Sequence, residues 1–323
     1  MSRHSTVGET ARILRDWDDV LILCHKNPDG DTLGGAAALA GVFSRLGKRS
    51  AVACHSRIPV KYDHLTLPMY DGSFAPKHIM SVDLAGENLL GDRMEQYKGK
   101  IELAIDHHAT NSGYSRLLCV KGDYPAACQL IYEIIEVMGV EIDGYLADCL
   151  YTGIITDTGC FRFSNTLPST HIVASRLMEK GAHYAELSER YFMSKSMKQV
   201  ELERYALNNL EFHHDGRLAL LVLDRDILDE IKPDPTDLEG MSSLAKNFEG
   251  VDVSLMLKYI SSGGYKGSVR TSEAVSAVSI AKRLGGGGHI RAAGFELDSD
   301  LQTARKAVLE AREKELCGKG ERE

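Results

Sequence analysis

The chain has 323 residues, of which 43% are hydrophobic and 26% are charged. This composition supplies enough apolar side chains for packed cores and excludes a largely disordered chain. Lys and Arg total 38 against 46 Asp and Glu, which gives a formal net charge of −8. That balance argues against a protein that coats long duplex nucleic acid, because such proteins are usually basic. The length predicts two domains of ordinary size.

The N-terminal sequence and the cysteines indicate the cellular compartment of the protein. The first twenty residues carry charges throughout, and no stretch approaches 18 uncharged apolar residues, so we expect neither a signal peptide nor a membrane partner. The seven cysteines form no CxxC pair, and most lie in apolar runs, where a reduced cysteine behaves as a small hydrophobic residue. The sequence therefore predicts a reduced, cytoplasmic protein.

Strand and helix patterns alternate in the first half of the chain. Apolar runs predict strands at residues 20–24, 49–54, 78–84 and 101–107. An Ala- and Leu-rich helix is predicted at 33–47, and an amphipathic helix at 87–98. Such units predict a parallel sheet with helices on both faces, and a ligand site beyond the carboxyl ends of the strands.

A second, smaller α/β domain is predicted after a mainly helical region. The strand pattern restarts at residue 217, with helices predicted at 237–250 and 274–285 and a closing helix at 300–316. We expect a first domain over residues 1–190, a helical connector over 191–215 and a second domain over 216–323.

The segment after the first predicted strand is rich in metal-ligand types. It reads His25-Lys26-Asn27-Pro28-Asp29-Gly30-Asp31. Two aspartates two residues apart repel each other unless a cation lies between them, and His25 adds a nitrogen ligand. Taken alone, this segment fits an Asp-Gly turn with an incidental histidine equally well.

Further acidic and histidine residues occupy equivalent positions. Asp83 ends one apolar run, Asp106-His107-His108 ends another, and Asp157 follows a third. A single aspartate there is usually a cap or turn residue, but the triplet has little packing value at a buried strand end. Together, five aspartates and three histidines supply the ligands that two divalent ions require. Carboxylates with imidazoles and no thiolate suit Mn²⁺, with Mg²⁺, Co²⁺ or Fe²⁺ as alternatives. The chemistry indicated is hydrolysis of a phosphate ester or anhydride.

The order and spacing of these motifs resemble those of the DHH phosphoesterase superfamily. The second half resembles its DHHA1 partner domain through Ser268–Ser272 and Gly285–His289, followed by Ala292-Ala293-Gly294. The chain looks most like the stand-alone oligoribonuclease and pAp-phosphatase branch (the nanoRNase type). The resemblance implies an N-terminal catalytic, metal-binding DHH domain, a substrate-binding DHHA1 domain, and an active site in the cleft between them.

The resemblance also implies roles for the site residues. One ion would be held by His25, Asp29 and Asp83, and the other by Asp31, Asp83, His107 and Asp157. His108 would face the scissile phosphate and Asp106 would orient the neighbouring imidazoles, which makes these two the catalytic pair. No separate strong general base is expected, because the ions lower the pKa of the attacking water.

Residues 258–291 are the expected substrate-binding region. They hold six Lys or Arg and one acid, and Arg270 can bind a phosphate through two hydrogen bonds. Backbone N–H groups of Gly286, Gly287 and Gly288 can surround an anion, with His289 beside them. Taken alone, the glycine run is better explained as a flexible turn, and its first glycine could be an ordinary helix C-cap. The binding interpretation is favoured because the run accompanies Arg270 and precedes His289 and Ala292-Ala293-Gly294.

The resemblance predicts an enzyme that degrades very short RNA to 5′-mononucleotides and also converts 3′-phosphoadenosine 5′-phosphate (pAp) to AMP. The alternative is a phosphodiesterase for cyclic dinucleotides or their linear products (c-di-AMP, pApA or pGpG), which shares every motif used here. An inorganic pyrophosphatase fits the glycine run less well. A non-catalytic nucleotide sensor could lose several of the ligands without penalty, yet all are present. A homodimer would be ordinary for the family.

Overall fold

The computed structural model describes the backbone of residues 2–317 and the side chains of residues 2–313. The chain forms two compact units, the first ending at Ser194 and the second beginning at Lys195. Among the described residues, no helix combines the length and the apolar character needed to cross a bilayer. The six cysteines with described side chains are free thiols, and four of them are buried.

Six parallel strands form the sheet of the first unit. They are β1 (Arg3–His4), β2 (Val20–Leu23), β3 (Ser50–Ala53), β4 (His78–Val82), β5 (Leu103–Asp106) and β6 (Leu117–Val120). Their spatial order is β1-β6-β5-β4-β2-β3. The four strands predicted in this half are confirmed, whereas β1 and β6 were not predicted. The parallel order brings the carboxyl ends of β2, β4 and β5 to one edge of the sheet, side by side.

The helices of the first unit are α1 (Val7–Asp16), α2 (Gly30–Arg45), α3 (Ala127–Met138), α4 (Gly144–Asp157), α5 (Pro168–Glu179) and α6 (Tyr184–Ser188), the last followed by a π-helical turn (Glu189–Met193). Side chains of α1 to α5 pack with Val20 and Ile22 in one large core. Leu21 and Leu23 point to the opposite face, where Leu84 and Leu90 cover them.

That opposite face carries no α-helix within the described residues, so the prediction of helices on both faces was wrong. Residues 87–98, predicted as an amphipathic helix, form two short 3₁₀ segments, Glu87–Leu89 and Asp92–Tyr97. Gly91 separates them with φ 78°, a conformation that an α-helix cannot include.

The second unit contains a mixed six-stranded sheet. Its strands are β7 (Glu211–His213), β8 (Leu218–Leu223), β9 (Val253–Tyr259), β10 (Tyr265–Thr271), β11 (Gly287–Gly288) and β12 (Ala292–Leu297), in the order β11-β12-β10-β9-β8-β7. Only the β8–β9 pair is parallel.

Helices cover both faces of this second sheet. They are α7 (Met197–Asn209), α8 (Arg225–Ile231), α9 (Ala277–Arg283) and α10 (Leu301–Cys317). On one face, α9 and α10 pack against Leu220 and Leu255. On the other, α7 packs through Leu202 and Ala206.

The helix predicted over residues 237–250 was wrong. Two 3₁₀ segments, Pro235–Leu238 and Met241–Asn247, take its place. Gly240, with φ 79°, separates them, so a glycine in the left-handed region again interrupts a pattern that reads as helical.

Candidate metal centre

The turn between β2 and α2 places two carboxylates at the start of a helix. Asp29 is the N-cap of α2, and its Oδ1 accepts the N–H groups of Asp31 (3.1 Å) and Thr32 (3.2 Å). Gly30 is required here, because a Cβ at this position would lie 2.3 Å from Thr156 Oγ1. The close approach of α2 and α4 therefore depends on the glycine between the two aspartates.

Asp31 is fully buried and contacts the start of another helix. Its Oδ2 accepts the N–H of Ala127 at 2.6 Å, and its Oδ1 accepts the N–H of Cys128 at 2.9 Å. These residues open α3, whose own N-cap, Ala126, offers no side-chain hydrogen bond. Asp31 thus caps α3 from the first turn of α2, a contact that no local sequence signal indicates.

Asp83 directly follows β4, between the ends of β2 and β5. It is only 4% exposed and has φ 54°, in the left-handed region that non-glycine residues seldom occupy. Its N–H donates to Ile105 O at 2.9 Å. Backbone strain of this kind collects at functional sites, where the surrounding structure holds it in place.

Asp106 organises the loop that follows β5. Its Oδ1 accepts the N–H of His107 at 2.8 Å and lies 2.7 Å from His108 Nδ1. Its Oδ2 accepts Nδ2 of Asn111 at 2.6 Å, and the same amide also donates to Leu84 O at 3.2 Å. Burial raises the pKa of Asp106, but the hydrogen bonds from His108 and Asn111 outweigh it and leave the pKa lowered. Asn111 was missed by sequence reasoning, although it lies only five residues after Asp106.

The six predicted metal ligands converge at this edge, together with His108. His107 Nε2 lies 3.2 Å from Asp157 Oδ2, 3.3 Å from Asp83 Oδ1 and 3.8 Å from Asp31 Oδ2. His25 Nε2 lies 3.5 Å from Asp29 Oδ1 and 3.6 Å from Asp83 Oδ2.

Three overlapping sets could each hold a cation, because their ligand atoms lie within 4.8 Å of one another. These sets, called here the ligand cluster, are His25–Asp29–Asp83, Asp31–His107–Asp157 and Asp83–His107–His108. Asp83 and His107 each belong to two of them.

The chemistry of the ligand cluster fits divalent ions. Within the described residues, the buried atoms Asp83 Oδ1 and His107 Nε2 have no hydrogen-bond partner, which is costly unless something binds them. Burial alone would lower the pKa of both His25 and His107. The carboxylates of the neighbouring aspartates instead raise the pKa of His25 to about 10 and that of His107 to about 12.

Two of the aspartates also have raised pKa values. Burial and the Asp83 charge raise the pKa of Asp157 to about 6, although the nearby His107 imidazole lowers it. Burial and the neighbouring carboxylates also raise the pKa of Asp31. The raised pKa values show that the site favours bound positive charge, either protons or cations. Oxygen and imidazole donors of this kind suit hard divalent cations.

The predicted substrate-binding residues lie in the second unit. Arg270 is half-buried in β10, and its strand neighbour is Ala292 of β12. Burial lowers the pKa of its guanidinium. His289 and the exposed Gly287 and Gly288 form the hairpin next to Ala292, closed by the hydrogen bond from His289 N–H to Ala292 O at 2.7 Å. Arg270 and this hairpin therefore lie at one end of the second sheet.

The backbone and packing constraints differ among the glycines of residues 285–288. Gly285 has φ 78° and ends α9, as an ordinary C-cap would. A Cβ on Gly286 would lie 2.1 Å from Gly294 O, so packing alone requires that glycine. A Cβ on Gly287 would meet nothing within 4 Å. The backbone around Gly287 is therefore open to a ligand.

A parallel α/β unit with carboxylates and imidazoles at its strand ends has the donor groups that a metal-dependent phosphoesterase uses. Residues 19–154 match the model of the DHH family, N-terminal domain, and residues 218–314 match that of the DHHA1 domain. The chain belongs to the DHH phosphoesterase family, and it is a hydrolase.

Two relatives are similar over almost their whole length. The bifunctional oligoribonuclease and PAP phosphatase NrnA of Thermus thermophilus is 33% identical over 93% of this chain and 91% of the relative. The protein of the same name from Mycoplasma pneumoniae is 25% identical over 94% of this chain and 95% of the relative.

Solved structures share the fold. An exopolyphosphatase-related protein from Bacteroides fragilis has a TM-score of 0.87 at 22% identity, with 95% of each chain covered. RecJ of Thermus thermophilus in complex with Mn²⁺ has a TM-score of 0.57 at 18% identity, over 95% of this chain and 54% of RecJ.

Proposed function

We propose that the protein hydrolyses very short oligoribonucleotides to 5′-mononucleotides and removes the 3′-phosphate of pAp. One observation carries the proposal: Asp83 and His107 are shared between overlapping ligand sets at the carboxyl edge of the sheet. Such sharing suits two ions that act on one phosphate. The names of the two similar relatives, oligoribonuclease and PAP phosphatase, support this choice of substrates.

We propose two Mn²⁺ ions as the cofactor, with Mg²⁺ or Co²⁺ able to replace them. His25, Asp29 and Asp83 would hold one ion, and Asp31, Asp83, His107 and Asp157 the other. When bound, the ions would lower the pKa of the attacking water and neutralise charge on the phosphate oxygens. The Mn²⁺ complex of RecJ, which shares the fold, is compatible with this choice.

His108 is the proposed donor to the scissile phosphate. Asp106 Oδ1 faces its Nδ1 at 2.7 Å, which leaves Nε2 directed away from Asp106. The hydrogen bond to Asp106 raises the pKa of His108, which favours the doubly protonated imidazole. With 38% of its side chain exposed, His108 can donate from Nε2 to a phosphate oxygen of the substrate.

Arg270, Gly286, Gly287, Gly288 and His289 are the proposed substrate-binding residues of the second unit. The guanidinium would bind a phosphate, and the hairpin would offer N–H groups to the same nucleotide. We also propose domain boundaries at residues 190 and 215 and a cytoplasmic location.

A side-by-side assay tests the proposed function. Purified protein with Mn²⁺ is given RNA of two to five nucleotides, a long RNA, pAp, cyclic di-AMP and pyrophosphate, and release of product is followed by chromatography. We expect the short RNAs and pAp to be consumed fastest. If cyclic di-AMP or pyrophosphate were consumed faster than the short RNAs and pAp, the proposal would be contradicted. It would also be contradicted if no substrate were consumed.

A further inference from the structure

A second group of charged side chains lies beside the ligand cluster in the first unit. Lys26 follows β2, His55 and Arg57 follow β3, and Arg93 lies in the segment after β4. These four residues are called here the basic loop patch. Because β4, β2 and β3 are neighbours in the parallel sheet, all three loops leave it at the edge that carries His25, Asp29 and Asp83.

Hydrogen bonds join the three loops. The N–H of Lys26 donates to Leu89 O at 2.7 Å, and the Ser56 hydroxyl donates to Lys26 O. The N–H of Arg93 donates to His55 Nδ1 at 3.2 Å, and Arg93 Nη1 reaches His55 O at 3.5 Å. The loops that carry the patch are therefore held together as one connected surface.

His55 presents a fixed donor within this surface. Because a backbone N–H donates to its Nδ1, that nitrogen is an acceptor and the ring proton resides on Nε2. Within the described residues, Nε2 has no hydrogen-bond partner. Gly91 makes the arrangement possible: it has φ 78°, and a Cβ there would lie 2.6 Å from His55 Cγ. The glycine that interrupts the predicted helix thus lets the loop lie against the imidazole.

The positive charges of the patch are not neutralised by protein carboxylates. Lys26, Arg57 and Arg93 are exposed, and none of them forms an ion pair in the part of the chain that the structure describes. Three acids lie in the segment that carries Arg93. Asp92 is exposed, Glu87 accepts the N–H of Gly99 at 2.6 Å, and Glu95 pairs with Lys98 at 2.5 Å. Two guanidinium groups, an ammonium and an imidazole N–H together provide the donors that phosphate oxygens bind most strongly.

We propose that the basic loop patch binds a second phosphate group of the substrate, distinct from the phosphate at the ligand cluster. In pAp this would be the 5′-phosphate, and in short RNA the next phosphate along the backbone. The inference rests on the proposed function and adds to it a reason for preferring nucleotides with two phosphates. Lys26 immediately follows His25, so the patch is continuous with the ligands.

A pair of substrates isolates this contribution. pAp and adenosine 3′-phosphate present the same scissile phosphate and differ only in the 5′-phosphate. The preference for pAp is measured as kcat/KM for pAp divided by kcat/KM for adenosine 3′-phosphate. We expect this ratio to be about tenfold lower in the Lys26→Ala/Arg93→Ala variant than in the wild type. A tenfold change corresponds to about 1.4 kcal/mol, an ordinary value for a charge-assisted contact.

The control variant is Arg12→Ala, which removes an exposed cation from α1 and should leave the ratio unchanged. An unchanged ratio in the Lys26/Arg93 variant would overturn the inference, as would an equal fall in the Arg12 variant. If the wild type hydrolyses neither substrate, the proposed function fails. The inference is then tested by measuring binding of the two nucleotides by calorimetry. Tighter binding of pAp than of adenosine 3′-phosphate that is lost in the Lys26/Arg93 variant would support the inference. Equal binding of the two nucleotides by the wild type would overturn it.

Discussion

Asp106 and its partners illustrate how one carboxylate can fix a loop. Both of its oxygens are occupied, one by the loop backbone and His108 and the other by the Asn111 amide. Asn111 is itself held, since its Oδ1 accepts the N–H of Gly113 at 2.9 Å. The direction of the His108 ring thus depends on a residue that lies outside the ligand cluster.

Asn111→Ala should therefore lower kcat for pAp by about tenfold, the lower end of the effect typical for residues that orient metal-site groups. KM should change less than kcat, because the substrate contacts remain. Steady-state kinetics at saturating Mn²⁺ provides the measurement. The matched control is Asn209→Ala, an exposed amide of α7. Unchanged kcat in the Asn111 variant would contradict this role.

Asp83→Ala should abolish hydrolysis while the protein remains folded. Asp83 is the carboxylate common to two ligand sets, so its loss affects both proposed ions. Activity with excess Mn²⁺ and a far-UV circular dichroism spectrum together test this expectation, with the exposed Asp226→Ala as control. A fully active Asp83 variant would rule out the two-ion arrangement.

Among the helices, the start of α3 depends on a residue from another element. Asp31 accepts the first two N–H groups of α3 from its position in α2. Gly153 of α4 completes the contact, because a Cβ there would lie 2.6 Å from Asp31 Oδ1. Three helices therefore meet at one buried carboxylate, which links the position of α3 to the ligand cluster.

Removing Asp31 should therefore destabilise the metal-free protein more than removing Asp157, although both would belong to the same ion site. Asp31→Ala leaves two buried N–H groups without acceptors, which costs about 2 kcal/mol. Asp157→Ala leaves no such backbone groups. Urea unfolding in the presence of a chelator measures the difference. Equal free energies of unfolding in the two variants would show that the cap does not stabilise α3.

Across the whole molecule, the net charge of −8 conceals an uneven distribution. The first unit gathers five aspartates at one edge of its sheet, and residues 258–291 of the second unit hold six basic residues against one acid. Such separation suits a small anionic substrate rather than a long polyanion.

Arg270→Ala tests the basic side of this distribution. We expect KM for short RNA to rise about tenfold relative to KM for bis(p-nitrophenyl) phosphate, because the small ester has no second nucleotide to bind. Arg225→Ala, an exposed cation of α8, should leave the relative KM unchanged. Equal rises for both esters would mean that Arg270 acts on the scissile phosphate instead.

The four central strands of the first unit could be predicted because apolar runs identify buried strands. The convergence of the predicted metal ligands could be predicted because parallel strands end at the same edge of the sheet. Sequence reasoning failed where one glycine changes the local conformation, as at Gly91 and Gly240. It could not predict the contact between Asp31 and α3, since 96 residues separate Asp31 from Ala127 and nothing local indicates the pairing. Asn111 lies only five residues after Asp106, but no sequence pattern marks an asparagine that binds a carboxylate.

The unequal covering of the first sheet has a consequence for local opening. One face is held by α2, α3 and α4, while residues 84–100 cover the other with 3₁₀ turns, whose hydrogen-bond geometry is poorer than that of an α-helix. Amide hydrogens of residues 84–100 should therefore exchange with solvent sooner than those of the helical face. Asp29, Asp31 and Asp157 lie on the slowly exchanging side, and part of the basic loop patch lies on the fast one. We therefore expect the three helix-borne aspartates to stay rigid while the adjoining loop surface adjusts to the bound substrate.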